Sequence, residues 1–208
     1  IEGAQFSGVA NSSKSANKAA QFAGIANAVK SGKTSVQLAG IANAAELSIV
    51  QAAGIANISD TTICQLAGIT NIARKSKLQI GIVNISEEAN VQVGLVNISK
   101  NGFMEVELAG GEFVHATASL RSGTDRLYGI VSLGYNFDDE FWAYGLGFGK
   151  AIGFGSNVGM NLEGIHYNLT TKKFKHKKYN GLVQLRPVFY YKVAKSLKLF
   201  AGPVANLY

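Results

Sequence analysis

The sequence predicts an all-β protein with two parts, stacked short repeats (β-solenoid-like) followed by an antiparallel, barrel-like meander. Three observations support this fold class. Seven copies of a short Gln/Gly/Asn motif fill the first half of the chain. The second half alternates apolar with small or polar residues over runs of about ten residues, a period typical of strands. The composition, with 24 Gly, 2 Pro, 11 Phe and 8 Tyr, favours strands and tight turns over helices.

The repeat region covers residues 1–99. The motif "QLAGIAN" at 37–43 has close copies at 5–11, 21–27, 51–57 and 65–71, and shortened copies "QIGIVN" and "QVGLVN" end the series. The copies end at Asn11, Asn27, Asn43, Asn57, Asn71, Asn84 and Asn97, with spacings of 16, 16, 14, 14, 13 and 13 residues. A fixed motif with connectors of variable length predicts units that stack, while the connectors absorb insertions.

Within one motif, strand alternation places every second residue from Gln37 to Asn43 on one face. Leu38, Gly40 and Ala42 then lie on the other face. Both faces are small or apolar, which predicts a strand packed on both sides. The Gly provides a close backbone approach or a corner.

The recurring amides have a structural interpretation. If the copies stack in register at about 4.8 Å, each Gln and Asn amide donates to one neighbouring copy and accepts from the other. The seven Asn residues are therefore predicted to form a structural ladder. Two alternatives remain at this point: the Gln and Asn rows form a binding face, or each copy is one strand of an antiparallel sheet.

The second part, residues 100–208, contains about seven predicted strands, and we predict that this antiparallel meander forms part of a β-barrel. "FWAYGLGFGK" places Trp142, Tyr144, Leu146 and Phe148 on one face and small residues on the other. "LYGIVSLGYNF" and "LVQLRPVFYYKV" alternate in the same way. A membrane β-barrel shows this pattern, with the aromatic residues towards lipid. A soluble antiparallel sandwich or small barrel shows it with the same residues turned inward.

The motif copies resemble the short surface repeats of bacterial envelope proteins, described from spirochaetes and abundant in Bacteroidetes. The resemblance covers residues 5–97, and more loosely the segment after "NGFMEVEL". It implies an envelope or surface location and a β-rich C-terminal part, and it supplies no catalytic residues.

Candidate chemistry is sparse, and neither a cofactor nor a metal site is expected. Cys64 is the only cysteine and is interpreted as a small buried apolar residue. The segment "GLGFGK" imitates a phosphate loop, but its glycines alternate along a predicted strand and do not open a helix. Glu105 and Glu107 share a strand face, which we interpret as solvated, and no catalytic residue is predicted.

One basic segment is a candidate binding site. "TTKKFKHKKYN" lies between two predicted strands and is expected to form a hairpin tip that meets anionic lipid headgroups, lipopolysaccharide phosphates or an acidic envelope protein. A nucleic-acid role is not expected, because the cations form one loop without a groove of stacking aromatics. Its basic residues are Lys172, Lys173, Lys175, His176, Lys177 and Lys178.

The predicted function is a non-catalytic structural or interaction protein of the cell envelope, in the outer membrane or at the cell surface. A periplasmic or secreted location is the alternative. The second functional hypothesis is an outer-membrane pore or transporter component. The third is a glycan-active enzyme on a β-helix scaffold, which requires paired carboxylates, whereas the motif copies contain no Asp or Glu.

Overall fold

The computed structural model describes residues 1–170, 181–194 and 196–207. All regular elements in these residues are β-strands, as the sequence predicts. No helix with the length and hydropathy of a membrane span occurs among them. The chain divides into two compact units, Ile1–Phe103 and Met104–Tyr208, which we call the repeat unit and the curled-sheet unit.

The repeat unit is a parallel stack in which each strand pairs with the next one along the chain, so the prediction of stacked repeats is confirmed. Equivalent residues pair in register, for example Asn43 with Asn57 and Gln51 with Gln65. The alternative of antiparallel pairing between copies is therefore wrong. The strands are β1 (Ala4–Ser7), β2 (Ala10–Ala23), β3 (Ala26–Ala39), β4 (Ala42–Ala53), β5 (Ala56–Ala67), β6 (Thr70–Ile80), β7 (Val83–Val93) and β8 (Val96–Ser99).

The motif itself is not one strand, which corrects the prediction for residues 37–43. Strand β3 ends at Ala39 and β4 begins at Ala42, so Gly40 and Ile41 form a turn between them. Ile41 is 43 % exposed and does not share the buried face of Gln37. The strands instead run through the connectors between the motif copies. The prediction that both motif faces are buried is also wrong, because Leu38 is 39 % exposed.

The longer coils absorb their extra residues in local irregularities. The pairing of β2 with β3 shifts register between Asn17 and Ala19, and Lys18 there has a φ of 54°. The pairing of β3 with β4 shifts between Val29 and Lys33, next to Gly32 at a φ of 87°. Both irregularities lie in connectors, so the stacking of the motif copies is preserved.

The curled-sheet unit is an antiparallel meander, which confirms the predicted fold class. Its strand order is β15-β14-β13-β12-β11-β10-β9, and the short β16 also pairs with β14. The strands are β9 (Phe103–Ala109), β10 (Ala116–Thr124), β11 (Leu127–Asn136), β12 (Phe141–Gly153), β13 (Val158–Thr170), β14 (Gly181–Ala194), β15 (Leu197–Ala201) and β16 (Ala205–Leu207).

Ion pairs across its interior reveal the curl of this sheet. Glu107 on β9 lies 2.7 Å from Arg186 on β14, although four strands separate β9 from β14 in the sheet order. Glu105 on β9 likewise pairs with Lys198 on β15. The sheet therefore bends until its first strand faces its last ones, which creates an enclosed inner face and an outer face.

Candidate functional site

Two continuous amide ladders run through the interior of the repeat unit. Gln21, Gln37, Gln51, Gln65, Gln79 and Gln92 are all 0 % exposed, and each donates to the Gln oxygen of the coil before it at 2.8–2.9 Å. The Asn amides donate in the other direction, to the Asn of the following coil, at 2.8–3.0 Å. The predicted ladder is thus present, and its Asn members are at most 8 % exposed.

The alternative that these amides form a binding face is wrong, because the rows point into the stack. Each Asn also donates to a backbone oxygen, as Asn57 Nδ2 does to Leu66 O near the other end of the same strand at 2.7 Å. Each Asn amide therefore links its coil to the next one and also holds parts of the backbone together. The Gln ladder ends at Gln92, whose buried Oε1 has no hydrogen-bond partner in the structure.

Removing one ladder amide is expected to weaken the repeat unit. Asn57→Leu has a similar volume but removes the side-chain donor to Leu66 O and to Asn71 Oδ1, and leaves Asn43 Nδ2 without one of its acceptors. Because a buried polar group left unpaired costs about 1–3 kcal/mol, we expect a loss of roughly 2 kcal/mol in the free energy of unfolding. Urea denaturation followed by far-UV circular dichroism measures it. Asn17→Leu, at an exposed position, is the control, and equal effects of the two variants would contradict the ladder's role.

The outer surface of the repeat unit separates apolar residues from charged ones. No charged residue occurs from the Gln to the residue after the Asn in any copy. Charged residues occupy the connectors, where they pair between neighbouring coils: Arg74 Nε lies 2.6 Å from Asp60 Oδ1, and Lys100 Nζ lies 2.7 Å from Glu87 Oε1. The hydrogen bond from Arg74 lowers the pKa of Asp60.

A four-residue ionic cluster lies inside the curled-sheet unit. Glu163 Oε2 accepts from Arg186 Nε at 2.7 Å, and Glu163 Oε1 lies 2.9 Å from Arg121 Nη2. Glu107 pairs with both guanidiniums. The side chains of Glu107, Arg121, Glu163 and Arg186 are at most 6 % exposed, so two carboxylates and two guanidiniums neutralise one another in the interior.

Neighbouring hydroxyl groups extend this interior polar network. Tyr128 donates to Glu163 Oε1 at 2.6 Å, while Tyr167 and Ser132 share a hydrogen bond of 3.0 Å. The glycines of "GLGFGK" make room for these rings on β12. A Cβ at Gly149 would lie 2.3 Å from Tyr128 Cζ, and one at Gly145 would lie 2.5 Å from Tyr167 Cε1. The segment is therefore a strand that accommodates aromatic rings, and it does not open a helix.

The outer face of the curled-sheet unit is apolar. The strand residues that alternate with the buried ones are exposed, and on β12 Trp142, Tyr144, Leu146 and Phe148 are 47–56 % exposed. The neighbouring strands continue the same face. Their exposed apolar residues include Leu133, Leu162, Leu185, Phe189 and Tyr191. The alternation seen in the sequence thus resolves with an apolar outer face and an inner face that holds the charged residues together with buried apolar side chains such as Ile130, Ile165 and Leu182.

The structure shows the burial and the contacts of several other residues discussed in the sequence analysis. Glu105 and Glu107 do share a face, but that face points inward, so the interpretation of a solvated face is wrong for Glu107 at 4 % exposure. Cys64 is partly exposed and not fully buried, and burial raises the pKa of its thiol.

Among the described residues no group of three His, Cys, Asp or Glu side chains could hold a metal ion. The basic residues Lys172, Lys173, Lys175, His176, Lys177 and Lys178 lie outside the described residues.

Sequence reasoning missed the ionic cluster. Its members come from β9, β10, β13 and β14, and Glu107 and Arg186 are 79 residues apart. One signal was available: Arg186 lies on the face of its strand opposite the apolar residues Leu185 and Phe189.

Comparison with known proteins gives no further information. No protein-family model matches the chain, and neither the curated proteins nor the solved structures give a match.

Proposed function

We propose that this chain is a non-catalytic structural or interaction component of the bacterial cell envelope, whose curled-sheet unit is embedded in the outer membrane. The observation that carries the proposal is where that unit places its charged and its exposed apolar side chains. Four charged side chains are buried in its interior while large apolar side chains cover its outside. A water-soluble sandwich buries its apolar faces, whereas a sheet that crosses a bilayer exposes them to lipid.

The lengths of the strands agree with this proposal. A tilted strand needs about 9–11 residues to cross a bilayer. Strands β10 and β11 have 9 and 10 residues, and β12, β13 and β14 have 13, 13 and 14. Trp142 and Tyr144 lie at the start of β12 and Tyr191 lies near the end of β14, positions that suit aromatic residues at the two lipid–water interfaces.

The interior contacts favour a structural role over a pore or an enzyme. The ionic cluster, with Tyr128 and Tyr167, occupies the space that an open lumen would need. Both carboxylates of the cluster are held by both guanidiniums, so neither is available as a general acid or base. The partners consistent with this role are outer-membrane lipid or lipopolysaccharide, and an envelope protein.

The test compares Leu146→Arg with the unmodified chain. Leu146 is 56 % exposed on the outer face of β12. In lipid, an arginine at the middle of a strand is expected to cost about 2–4 kcal/mol, whereas the same change on a water-facing surface is close to neutral. We therefore expect the unmodified chain to stay in the membrane pellet through alkaline carbonate washing, and Leu146→Arg to reduce the retained fraction.

Asp139→Arg, at an exposed position in the turn between β11 and β12, is the control for the added charge and should be retained normally. Release of the unmodified chain by carbonate, or a retained fraction of Leu146→Arg equal to that of the unmodified chain, would contradict the proposal. The chain would then be a protein whose apolar outer face meets another partner.

A further inference from the structure

The repeat unit has an apolar edge that the proposed function does not use. In each coil it is formed by the exposed residues of the segment that runs from the Gln to the residue after the Asn, such as 65–72 or, in a shortened copy, 79–85, and we call it the Gly–Ile edge. In each coil from the second onward, the residue after the Gly lies in the turn and is 43–47 % exposed. These residues stack into one continuous column along the unit. Its members are Ile25, Ile41, Ile55, Ile69, Ile82 and Leu95.

Exposed apolar side chains also flank this column on both sides. Leu38, Leu66 and Ile80, each directly after a Gln, are 38–40 % exposed. Ile58 and Ile72, each directly after an Asn, are 50 % and 38 % exposed. The six members of the column, spaced about 4.8 Å apart, give a strip about 24 Å long. This continuous strip without any charge, rather than its area, makes the edge a candidate interaction surface.

A groove accompanies the edge on the side of the Gln ladder. It has a volume of about 940 Å³ and is lined by Phe22, Leu38 and Leu66, with Ala39 and Ala53 beside them. Ala52 stands where the neighbouring coils carry Leu38 and Leu66, so the column has a notch. An occupant of this surface must therefore be apolar and able to fill irregular gaps.

An added peptide strand does not meet these requirements. The backbone amides at the turns are already used between coils: Gly54 N donates to Gly40 O at 3.1 Å, and Gly68 N donates to Ala53 O at 3.3 Å. A strand laid along the edge would leave its own amide and carbonyl groups without partners, at about 1–3 kcal/mol for each group that becomes buried.

A second copy of the chain is also a poor occupant. The edge projects outward at the turn, so two edges would touch along a strip about 24 Å by 10 Å, or about 240 Å² on each partner. A stable interface needs about 800 Å² on each partner. Fluid acyl chains, in contrast, surround a projecting edge on both flanks and fill a groove with a notch.

We infer that the Gly–Ile edge inserts into the acyl-chain region of a membrane leaflet, with the charged connectors in water. The separation of an apolar edge from charged connectors is the distribution expected of an element that lies in a lipid–water interface. The inference rests on the proposed function, since the membrane-embedded sheet belongs to the same chain and keeps the repeat unit near a bilayer.

The experiment uses the full chain with Cys64 replaced by alanine, carrying one new cysteine labelled with the fluorophore nitrobenzoxadiazole. Ile55→Cys places the label on the Gly–Ile edge, and Ile63→Cys is a matched control in β5, outside that edge. Both isoleucines are 45 % exposed. Phe148→Cys, on the outer face of β12, reports insertion of the curled-sheet unit. Each protein is reconstituted into vesicles of phosphatidylethanolamine and phosphatidylglycerol.

The expected result is a blue-shifted emission at position 55 that doxyl-labelled lipid quenches and aqueous iodide does not, with the opposite behaviour at position 63. Equal iodide quenching at positions 55 and 63, with lipid quenching at position 148, would overturn the inference and leave the proposed function standing. Equal lipid quenching at 55 and 63 would overturn the role of the edge. Lipid quenching at none of the three positions would overturn both proposals.

Discussion

Gly54→Ala is expected to destabilise the repeat unit by roughly 3 kcal/mol or more, although it adds a single methyl group. A Cβ at Gly54 would lie 2.2 Å from the carbonyl oxygen of Gly40 in the coil before it. That oxygen cannot move away freely, because it accepts the hydrogen bond from Gly54 N and belongs to a stack paired in register on both sides. The two coils must therefore separate at the turn, which weakens their hydrogen bonds. Urea denaturation followed by far-UV circular dichroism measures the loss.

Gly8→Ala provides a matched control for this variant. Gly8 holds the same place in the first motif copy, but no atom lies within 4 Å of a Cβ built there. We expect Gly8→Ala to unfold at nearly the same urea concentration as the unmodified chain. Equal sensitivity at the two positions would mean that alanine acts through the local turn conformation, and the contact between coils would not be its cause.

Glu163→Gln is expected to destabilise the curled-sheet unit by about 3–5 kcal/mol, because removing one member of a buried ionic group leaves its partners uncompensated. The variant keeps the shape of the side chain but leaves Arg121 and Arg186 with Glu107 as the one remaining carboxylate of the cluster. The hydroxyl of Tyr128 also loses a charged acceptor. Thermal unfolding of the full chain in vesicles, read as the temperature at which gel mobility changes, measures the loss.

Two further variants separate charge balance from other effects. Glu112→Gln removes an exposed carboxylate and should leave the unfolding temperature nearly unchanged. Combining Glu163→Gln with Arg121→Gln restores neutrality in the cluster, and we expect it to recover part of the lost stability. A double variant as unstable as the sum of its two single variants would show that the cluster does not act as one electrostatic unit.

The repeat unit was largely predictable because the sequence pattern that determines it is short and recurs in every coil. The constant placement of Gln and Asn around one Gly was enough to predict stacking and the amide ladder. The faces of the motif were not predictable by alternation, because alternation assumes a continuous strand. The turn at Gly40 and Ile41 interrupts that strand, so Ile41 lies outside.

The curled-sheet unit was predictable in its strands but not in its polarity. Alternation identifies two faces of a strand and carries no information on which one is enclosed. The enclosed face is determined by the curl, which brings Glu107, Arg121, Glu163 and Arg186 together from distant strands. Such a cluster depends on the closure of the sheet, and no short stretch of sequence contains it.

The opposite directions of the two amide ladders make the coils interchangeable. Every internal coil offers the next one a Gln oxygen and an Asn amide hydrogen, and receives a Gln amide hydrogen and an Asn oxygen in return. Any coil therefore fits before or after any other, provided that the chain direction is kept. Duplication or loss of one motif copy in the gene would change the length of the stack without requiring a new joint, so evolution can adjust the length of this unit one coil at a time.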